Sequence, residues 1–214
     1  MGTAMAKIIA ENGYEVRLWN YEGDLDPLRE IEQFGENKKY LPGVPLPENI
    51  IPTFTLAEAL LGAKIIFFVV SSGAMESVMQ GVSSVLKNGM ILVDVSKGLQ
   101  PKTNILIPTM MKKMAGKKKI TLVGLTGPAV AKQLTDGHPA VMVAASSSKS
   151  AAQEVQKLLK NTSVKILVGS DIVGGEVVQS FKNVYAIGLG IAQGLGLAFN
   201  TQAILFTLAM NEMA

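Results

Sequence analysis

Residues 1–19 read MGTAMAKIIAENGYEVRLW, and this stretch decides the fold. Its first part predicts a helix with small residues on one face, which Gly13 ends. Its second part, Tyr14–Trp19, predicts a β-strand. A small-residue helix that leads into a strand is the second half of a dinucleotide-binding βαβ unit. Gly2 would then be the last glycine of the Gly-x-Gly-x-x-Gly turn, whose first strand and first two glycines have no counterpart in the sequence.

Strands and helices alternate regularly from there to about residue 170. Further strands are predicted at Lys64–Val70, Gly89–Val95, Ile120–Leu125, Ala140–Ala145 and Val164–Val168. Helices are predicted at Leu56–Leu61, after Ser71-Ser72-Gly73 through Leu86, from Pro101 to Met114, after Thr126-Gly127-Pro128 to Thr135, and at Ser148–Lys160. The continuous apolar run of Lys64–Val70 predicts a strand that is covered on both faces. The proline-rich segment Tyr40–Ile50 predicts a loop with a short extended piece.

This alternation predicts the α/β class, with a doubly wound, mainly parallel sheet of Rossmann type that lacks its first strand. We expect residues 1–170 to form this domain. No strand pattern follows Asp171, so residues 171–214 are expected to begin a helical domain.

Residues 177–200 read VVQSFKNVYAIGLGIAQGLGLAFN and predict a buried helix that carries a single charge, Lys182. A buried ammonium is costly unless it faces a partner or a wet cavity. Burial lowers the pKa of a lysine, which makes it a usable proton acceptor. The alternative is that Lys182 reaches the surface along its own aliphatic stem.

Lys97 lies in one of three polar turns that follow predicted strands, namely residues 71–73, 96–98 and 126–128. Ligands of doubly wound sheets bind at the carboxyl ends of the strands. Lys97 is therefore either a ligand lysine at that edge or a solvated turn lysine. His138 precedes Pro139 in a loop and is expected to have a structural or surface role.

The composition excludes several classes of site. The chain has 214 residues, a net charge of +3, no cysteine and one histidine, so we expect no thiolate chemistry and no metal centre. No basic stripe with interleaved aromatic residues indicates nucleic acid. The longest apolar stretch, Val184–Ala198, is shorter than the roughly 20 residues of a membrane span, so we expect no membrane insertion and a cytoplasmic location.

Several short motifs, in a fixed order along the whole chain, resemble those of the bacterial NAD(P)-dependent glycerol-3-phosphate dehydrogenases, with both ends of the family pattern incomplete. The matching pieces are Gly2–Lys7 with Asn12–Trp19, Tyr40–Gly43, Leu46–Ile50, Val95–Gly98, Gly127-Pro128 with Ala131, Lys182–Val184 and Gly194–Leu197. Each piece alone is weak, whereas the ordered set is specific. The chain departs from the pattern at Ala198-Phe199, where the family has Gly-Asp, and at Leu208, where it has arginine.

The resemblance implies hydride transfer between NAD or NADP and sn-glycerol 3-phosphate or dihydroxyacetone phosphate, in glycerophospholipid precursor synthesis, by a homodimer. It implies that Lys182 is the catalytic proton acceptor and that Lys97 and Asn183 bind substrate. The cofactor-binding positions that it implies are Gly2, Ala74 and Ala131. Glu22, three residues beyond the first predicted strand, gives a slight preference for NAD.

Two other interpretations remain open from the sequence. One is a β-hydroxyacid or 6-phosphogluconate type dehydrogenase, which also joins a Rossmann domain to a helical domain and uses a lysine. The other is a non-catalytic protein, either a degenerate subunit or a helix-mediated dimerisation fragment. The Tyr40–Gly43 loop and the adjacency of Lys182 and Asn183 favour the first-named family.

Overall fold

The computed structural model describes residues 1–161 and 163–214, and its centre is a five-stranded sheet. The strand order is β3-β4-β5-β6-β7, and all neighbours are parallel except β5 and β6. A separate parallel pair contains β1 and β2. The strands are β1 Val16–Trp19, β2 Ile50–Thr53, β3 Ile65–Phe68, β4 Ile91–Asp94, β5 Thr121–Thr126, β6 Ala140–Ala145 and β7 Val164–Gly169.

Helices cover both faces of the large sheet. They are α1 Gly2–Glu11, α2 Asp26–Phe34, α3 Leu56–Leu60, α4 Ser72–Ser83, α5 Ile107–Ala115, α6 Ala131–Thr135, α7 Lys149–Leu158, α8 Ile172–Gly194 and α9 Phe199–Met213. Alternate residues of β4 define the two layers, because Val93 packs in one buried cluster with α1 and α7, whereas Leu92 packs in a second cluster with α4 and α5. The predicted doubly wound, mainly parallel α/β sheet is therefore confirmed.

An apolar groove of about 500 Å³ separates β1 from β3. Side chains of α1, β1, α3 and β3 line it. Because β3 is an edge strand at this groove, Ile65, Ile66 and Phe67 are only half-buried. The prediction that this strand is covered on both faces is confirmed, because Ile65 and Phe67 pack against one buried cluster whereas Ile66 and Phe68 pack in the other. The apolar run does not report the number of neighbouring strands.

Two other features in the first half of the chain were not predicted. The loop at Tyr40–Ile50 leads into β2, which pairs with β1 although Pro52 lies within it. The helix predicted from Pro101 begins only at Ile107. Residues 100–106 instead form a closed turn, in which the Gln100 N–H donates to the Ile105 carbonyl and Asn104 has a left-handed backbone with φ 54°.

The helix α8 is less buried than its sequence predicts. Its N-terminal half packs on β5 and β6, and it also packs on α9. Ile187 is 64% exposed and Phe199, at the start of α9, is 82% exposed. The apolar composition of α8 predicts burial, but a helix is buried only where another part of the structure packs against it. Within the described residues, no helix has both the length and the apolar character that crossing a membrane requires.

Candidate active site

Lys182 lies on α8 next to the turn that follows β5. Its Nζ donates a hydrogen bond of 3.0 Å to Oε1 of Gln179, one helical turn earlier. The same oxygen accepts a hydrogen bond of 3.3 Å from the backbone N–H of Gly127, in the β5–α6 turn. Lys182 is half-buried, and both its burial and the positive charge of Lys97 lower its pKa. Lys182 is thus half-buried beside a polar partner and has a lowered pKa, as a proton-accepting lysine requires.

Two glycines allow close contacts at this point, Gly127 between the β5–α6 turn and β6, and Gly175 between α8 and β5. Gly127 has φ 147°, and a Cβ built there would lie 2.7 Å from the Val141 carbonyl oxygen of β6. A Cβ on Gly175 would lie 3.3 Å from Oγ1 of Thr126, at the end of β5. Any larger residue at Gly127 would therefore displace the turn whose N–H contacts Gln179. The side chain of Asp171 accepts a hydrogen bond from the Gly174 N–H, which fixes the start of α8 over β5.

Lys97 follows β4 and is exposed. The charge of Lys97 lowers the pKa of Lys182. The pKa of the Met1 N-terminal ammonium is lowered mainly by burial and additionally by the charge of Lys97. Lys97 therefore lies close to both α8 and the N-terminal end of α1, where Gly2 is half-buried. Two lysines from different elements face one region at the carboxyl edge of the sheet, and such a region attracts a small anion.

Two buried carboxyl groups lie behind the lysines, and the sequence analysis named neither of them. Glu176 on α8 is 0% exposed and Asp94 at the end of β4 is 1% exposed. Burial, followed by the charge of Asp94, raises the pKa of Glu176 to about 8. Burial also raises the pKa of Asp94, against the hydrogen bonds from Ser96. No described group donates to either carboxyl oxygen of Glu176 or to Oδ2 of Asp94, so no hydrogen bond to these oxygens offsets the effect of burial on the pKa of Glu176.

Glu176, Gln179 and Lys182 form a row of polar residues at intervals of three on α8. This spacing places them on neighbouring faces of the helix, all on the side of β5 and its following turn. Lys182 is the single charge within residues 177–200, whereas Glu176 lies just before that stretch and Gln179 is uncharged, so the pattern that indicates Lys182 does not indicate the other two.

The other predicted site residues have varied surroundings. Ala74 is half-buried in the first turn of α4, and Ala131 is the first residue of α6, where it packs against Ala4 of α1. Asn183 is exposed on α8, and its side chain makes no hydrogen bond among the described residues. Glu22 is exposed.

The buried carboxylate near the end of β1 is Asp24, two residues after Glu22. It accepts hydrogen bonds from Lys39 Nζ and from the Tyr40 hydroxyl, at 2.5 and 2.6 Å. Both hydrogen bonds lower the pKa of Asp24, and that of Lys39 has the larger effect. Asp24 thus anchors the loop before β2, and Glu22 is the carboxylate of this turn that faces solvent.

Comparison with known proteins decides between the families that the lysine site allows. The sequence model of the NAD-dependent glycerol-3-phosphate dehydrogenase N-terminus matches residues 1–152, and that of the C-terminus of the same family matches residues 171–214. The chain belongs to this family. The resemblance found in the sequence motifs is therefore confirmed, and the β-hydroxyacid and 6-phosphogluconate alternative is set aside.

Individual relatives agree with this assignment. The chain is 35% identical over 214 residues to a glycerol-3-phosphate dehydrogenase (NAD(P)+) of Listeria monocytogenes serotype 4b, covering 99% of this chain and 62% of the relative. It is 36% identical over 215 residues to the enzyme of that name from Bacillus licheniformis, with 100% and 62% covered. The crystal structure of glycerol-3-phosphate dehydrogenase from Coxiella burnetii superposes with a TM-score of 0.88 at 29% identity, covering 99% of this chain and 63% of that one. The chain thus spans less than two thirds of the length of these family members.

The N-terminal end of α1, where the cofactor position Gly2 was predicted, lies beside two other segments of the chain. The loop before β2 is tied to the same turn, because the Asn37 amide donates 2.8 Å to Thr3 Oγ1. Gly2 lies at the helix start and approaches the end of β3, where a Cβ would lie 3.8 Å from Val69 Cβ. The start of α1, the loop before β2 and the end of β3 are therefore close neighbours.

Proposed function

We propose that this chain interconverts sn-glycerol 3-phosphate and dihydroxyacetone phosphate with NAD or NADP. The observation that carries the proposal is the position of Lys182, which is half-buried, fixed at the β5–α6 turn and subject to a pKa that burial and Lys97 both lower. The family membership supplies the substrate class. The relatives are named for glycerol 3-phosphate and NAD(P)+, and this chain spans 62% of their length.

Lys182 acts as the proton acceptor in the oxidation direction. Its neutral amine takes the proton of the C2 hydroxyl, the O–H bond breaks, and the amine becomes an ammonium while the C2 carbon becomes a carbonyl. In the reduction direction, the ammonium returns this proton to the oxygen. NAD or NADP, when bound, would supply the hydride acceptor for C2 in oxidation and the hydride donor in reduction. Lys97 binds the anionic substrate, and Asn183 orients it from the next position on α8.

Gly2, Ala74 and Ala131 are the cofactor-binding positions of this proposal. They lie in the first turns of α1, α4 and α6. These turns are at the carboxyl edge of the sheet, where Lys97 is also found. Small side chains at these positions let a flat or extended ligand approach the backbone. Exposed Glu22 at the end of β1 favours the ribose hydroxyls of NAD over the phosphate of NADP.

The proposal is tested by turnover of the purified chain. We expect reduced nicotinamide to be consumed with dihydroxyacetone phosphate and to form with sn-glycerol 3-phosphate, and we expect no turnover with 3-hydroxyisobutyrate or 6-phosphogluconate. The assay is run with NADH and with NADPH, and a Glu22→Gln variant tests whether the preference for NADH weakens. A folded chain that turns over neither dihydroxyacetone phosphate nor sn-glycerol 3-phosphate with either cofactor would contradict the proposal and favour the non-catalytic interpretation.

Three further properties belong to the same proposal. We expect a cytoplasmic enzyme of glycerophospholipid precursor synthesis, a homodimer, and a division of the chain at residue 170 into a cofactor domain and the start of a helical substrate domain. The exposed apolar side chains of α8 and α9 support an association through this region.

A further inference from the structure

Gln179 connects the proposed catalytic lysine to the sheet. Its side chain is 3% exposed, and its Oε1 accepts from Lys182 Nζ at 3.0 Å and from the Gly127 N–H at 3.3 Å. An exposed glutamine would exchange these partners with water, whereas a buried one keeps them. The position of the Lys182 amine therefore depends on one amide oxygen and on the β5–α6 turn behind it.

The amide group suits a lysine that must change its protonation state. An amide oxygen accepts a hydrogen bond from an ammonium and from a neutral amine alike, and it carries no charge. A carboxylate at the same distance would favour the ammonium form and raise the lysine pKa by 1–3 units. Gln179 thus holds Lys182 without opposing the loss of its proton.

The other charged groups near this pair come from three elements. Lys97 lies in the loop after β4 and lowers the pKa of Lys182. Glu176, one turn before Gln179 on α8, and Asp94 at the end of β4 form the buried carboxyl pair. Farther along, Tyr185 of α8 interacts with Glu212 of α9. Among the described residues, Lys182 has no carboxylate within salt-bridge distance.

We propose that Gln179 is a positioning residue for Lys182: its neutral amide fixes the lysine amine at the β5–α6 turn and leaves the amine free to exchange a proton with the substrate hydroxyl. This inference rests on the proposed function, because it assigns the role of Gln179 through the proton transfer by Lys182. It also gives a reason for burying a glutamine at the carboxyl edge of the sheet, where an apolar residue would pack α8 equally well.

The first test measures the pKa of Lys182 directly and needs no turnover. Trace labelling with acetic anhydride, followed by mass spectrometry of the peptide that contains Lys182, reports the fraction of neutral amine between about pH 6 and pH 11. We expect Gln179→Glu to raise the Lys182 pKa by 1–3 units. Gln193→Glu is the matched control, since Gln193 is exposed and lies about four turns later on α8, and it should leave the pKa unchanged. Equal Lys182 pKa values in the two variants would overturn the proposal.

The second test separates positioning from packing. Gln179→Met keeps the length and approximate volume of the side chain but removes the accepting oxygen. We expect kcat to fall roughly 10- to 100-fold, as for other small misplacements of a reacting group, with the KM for cofactor unchanged. We also expect the pH profile of kcat in Gln179→Glu to move upward by the shift found by labelling. A wild-type kcat in Gln179→Met would overturn the positioning role. A wild-type chain without turnover would contradict the proposed function, and the labelling result alone would then decide whether Gln179 acts on Lys182.

Discussion

Replacing Lys182 by methionine is expected to lower kcat for sn-glycerol 3-phosphate oxidation by about 10²- to 10⁴-fold, the usual contribution of a positioned general base. Methionine fills a similar space on α8 but cannot accept a proton. The loss should appear in kcat as well as in kcat/KM, because the proton transfer occurs in the transition state. Steady-state kinetics in both directions, with the concentration of folded protein measured for each variant, check this result.

Two variants separate the charge of Lys182 from its basicity. Lys182→Arg keeps a positive charge, but a guanidinium does not lose its proton in this pH range. We therefore expect Lys182→Arg to be as inactive as Lys182→Met while keeping more of the affinity for the anionic substrate. Lys165→Met, an exposed lysine on β7, is the matched control and should behave as wild type. A Lys182→Arg variant with wild-type kcat would show that Lys182 contributes only charge.

Replacing Glu176 by glutamine is expected to flatten the dependence of stability on pH. The pKa of Glu176 is about 8 in the folded chain against an ordinary value of 4.5. Between these two pH values the folded state keeps a proton that the unfolded chain has released, so the free energy of unfolding falls as the pH rises. The loss is complete above about pH 8 and is on the order of 5 kcal/mol at most, at 1.36 kcal/mol for each pKa unit. Asp94, whose pKa is also raised, contributes in the same direction.

Urea unfolding of wild type and Glu176→Gln at several values between about pH 5 and pH 9 measures this effect. The amide cannot ionise, so the stability of the variant should fall less steeply with pH than that of wild type. Glu154→Gln, at an exposed position of α7, is the matched control and should follow the wild-type curve. Parallel curves for wild type and Glu176→Gln would contradict the burial of a neutral Glu176.

The sequence was sufficient for the central sheet because β4 and its neighbours are short runs of branched apolar residues bounded by turns. Ile91–Asp94 lies within its predicted range, Thr121–Thr126 is shifted by one residue from the predicted Ile120–Leu125, and Ala140–Ala145 coincides with its prediction. By contrast, β2 was not predicted as a strand, because its four residues include a proline and follow a proline-rich segment. Edge strands of this kind depend on a neighbouring strand more than on their own composition.

The candidate site was predicted only in part. Lys182 could be found because a charge in an apolar helix is visible without a structure. Glu176 and Gln179 are more deeply buried than Lys182, but glutamate and glutamine are common on the exposed faces of helices, so only the packing of α8 on β5 distinguishes them. Similarly, Lys97 and Lys182 are 85 residues apart in the sequence, and it is the order of the strands that brings their charges together.

The central claim is that Lys97 and Lys182 bind the substrate beside a dinucleotide, and ligand-dependent thermal unfolding tests it most directly. A ligand at 100 times its dissociation constant adds about 2.7 kcal/mol of stability, which corresponds to roughly 5–10 °C for a chain of this size. We predict that NADH or NADPH raises the midpoint, that sn-glycerol 3-phosphate raises it further, and that Lys97→Met and Lys182→Met lose the second increment while Lys165→Met keeps it. No protection by any of these ligands, or a substrate increment that survives in both lysine variants, would contradict the account.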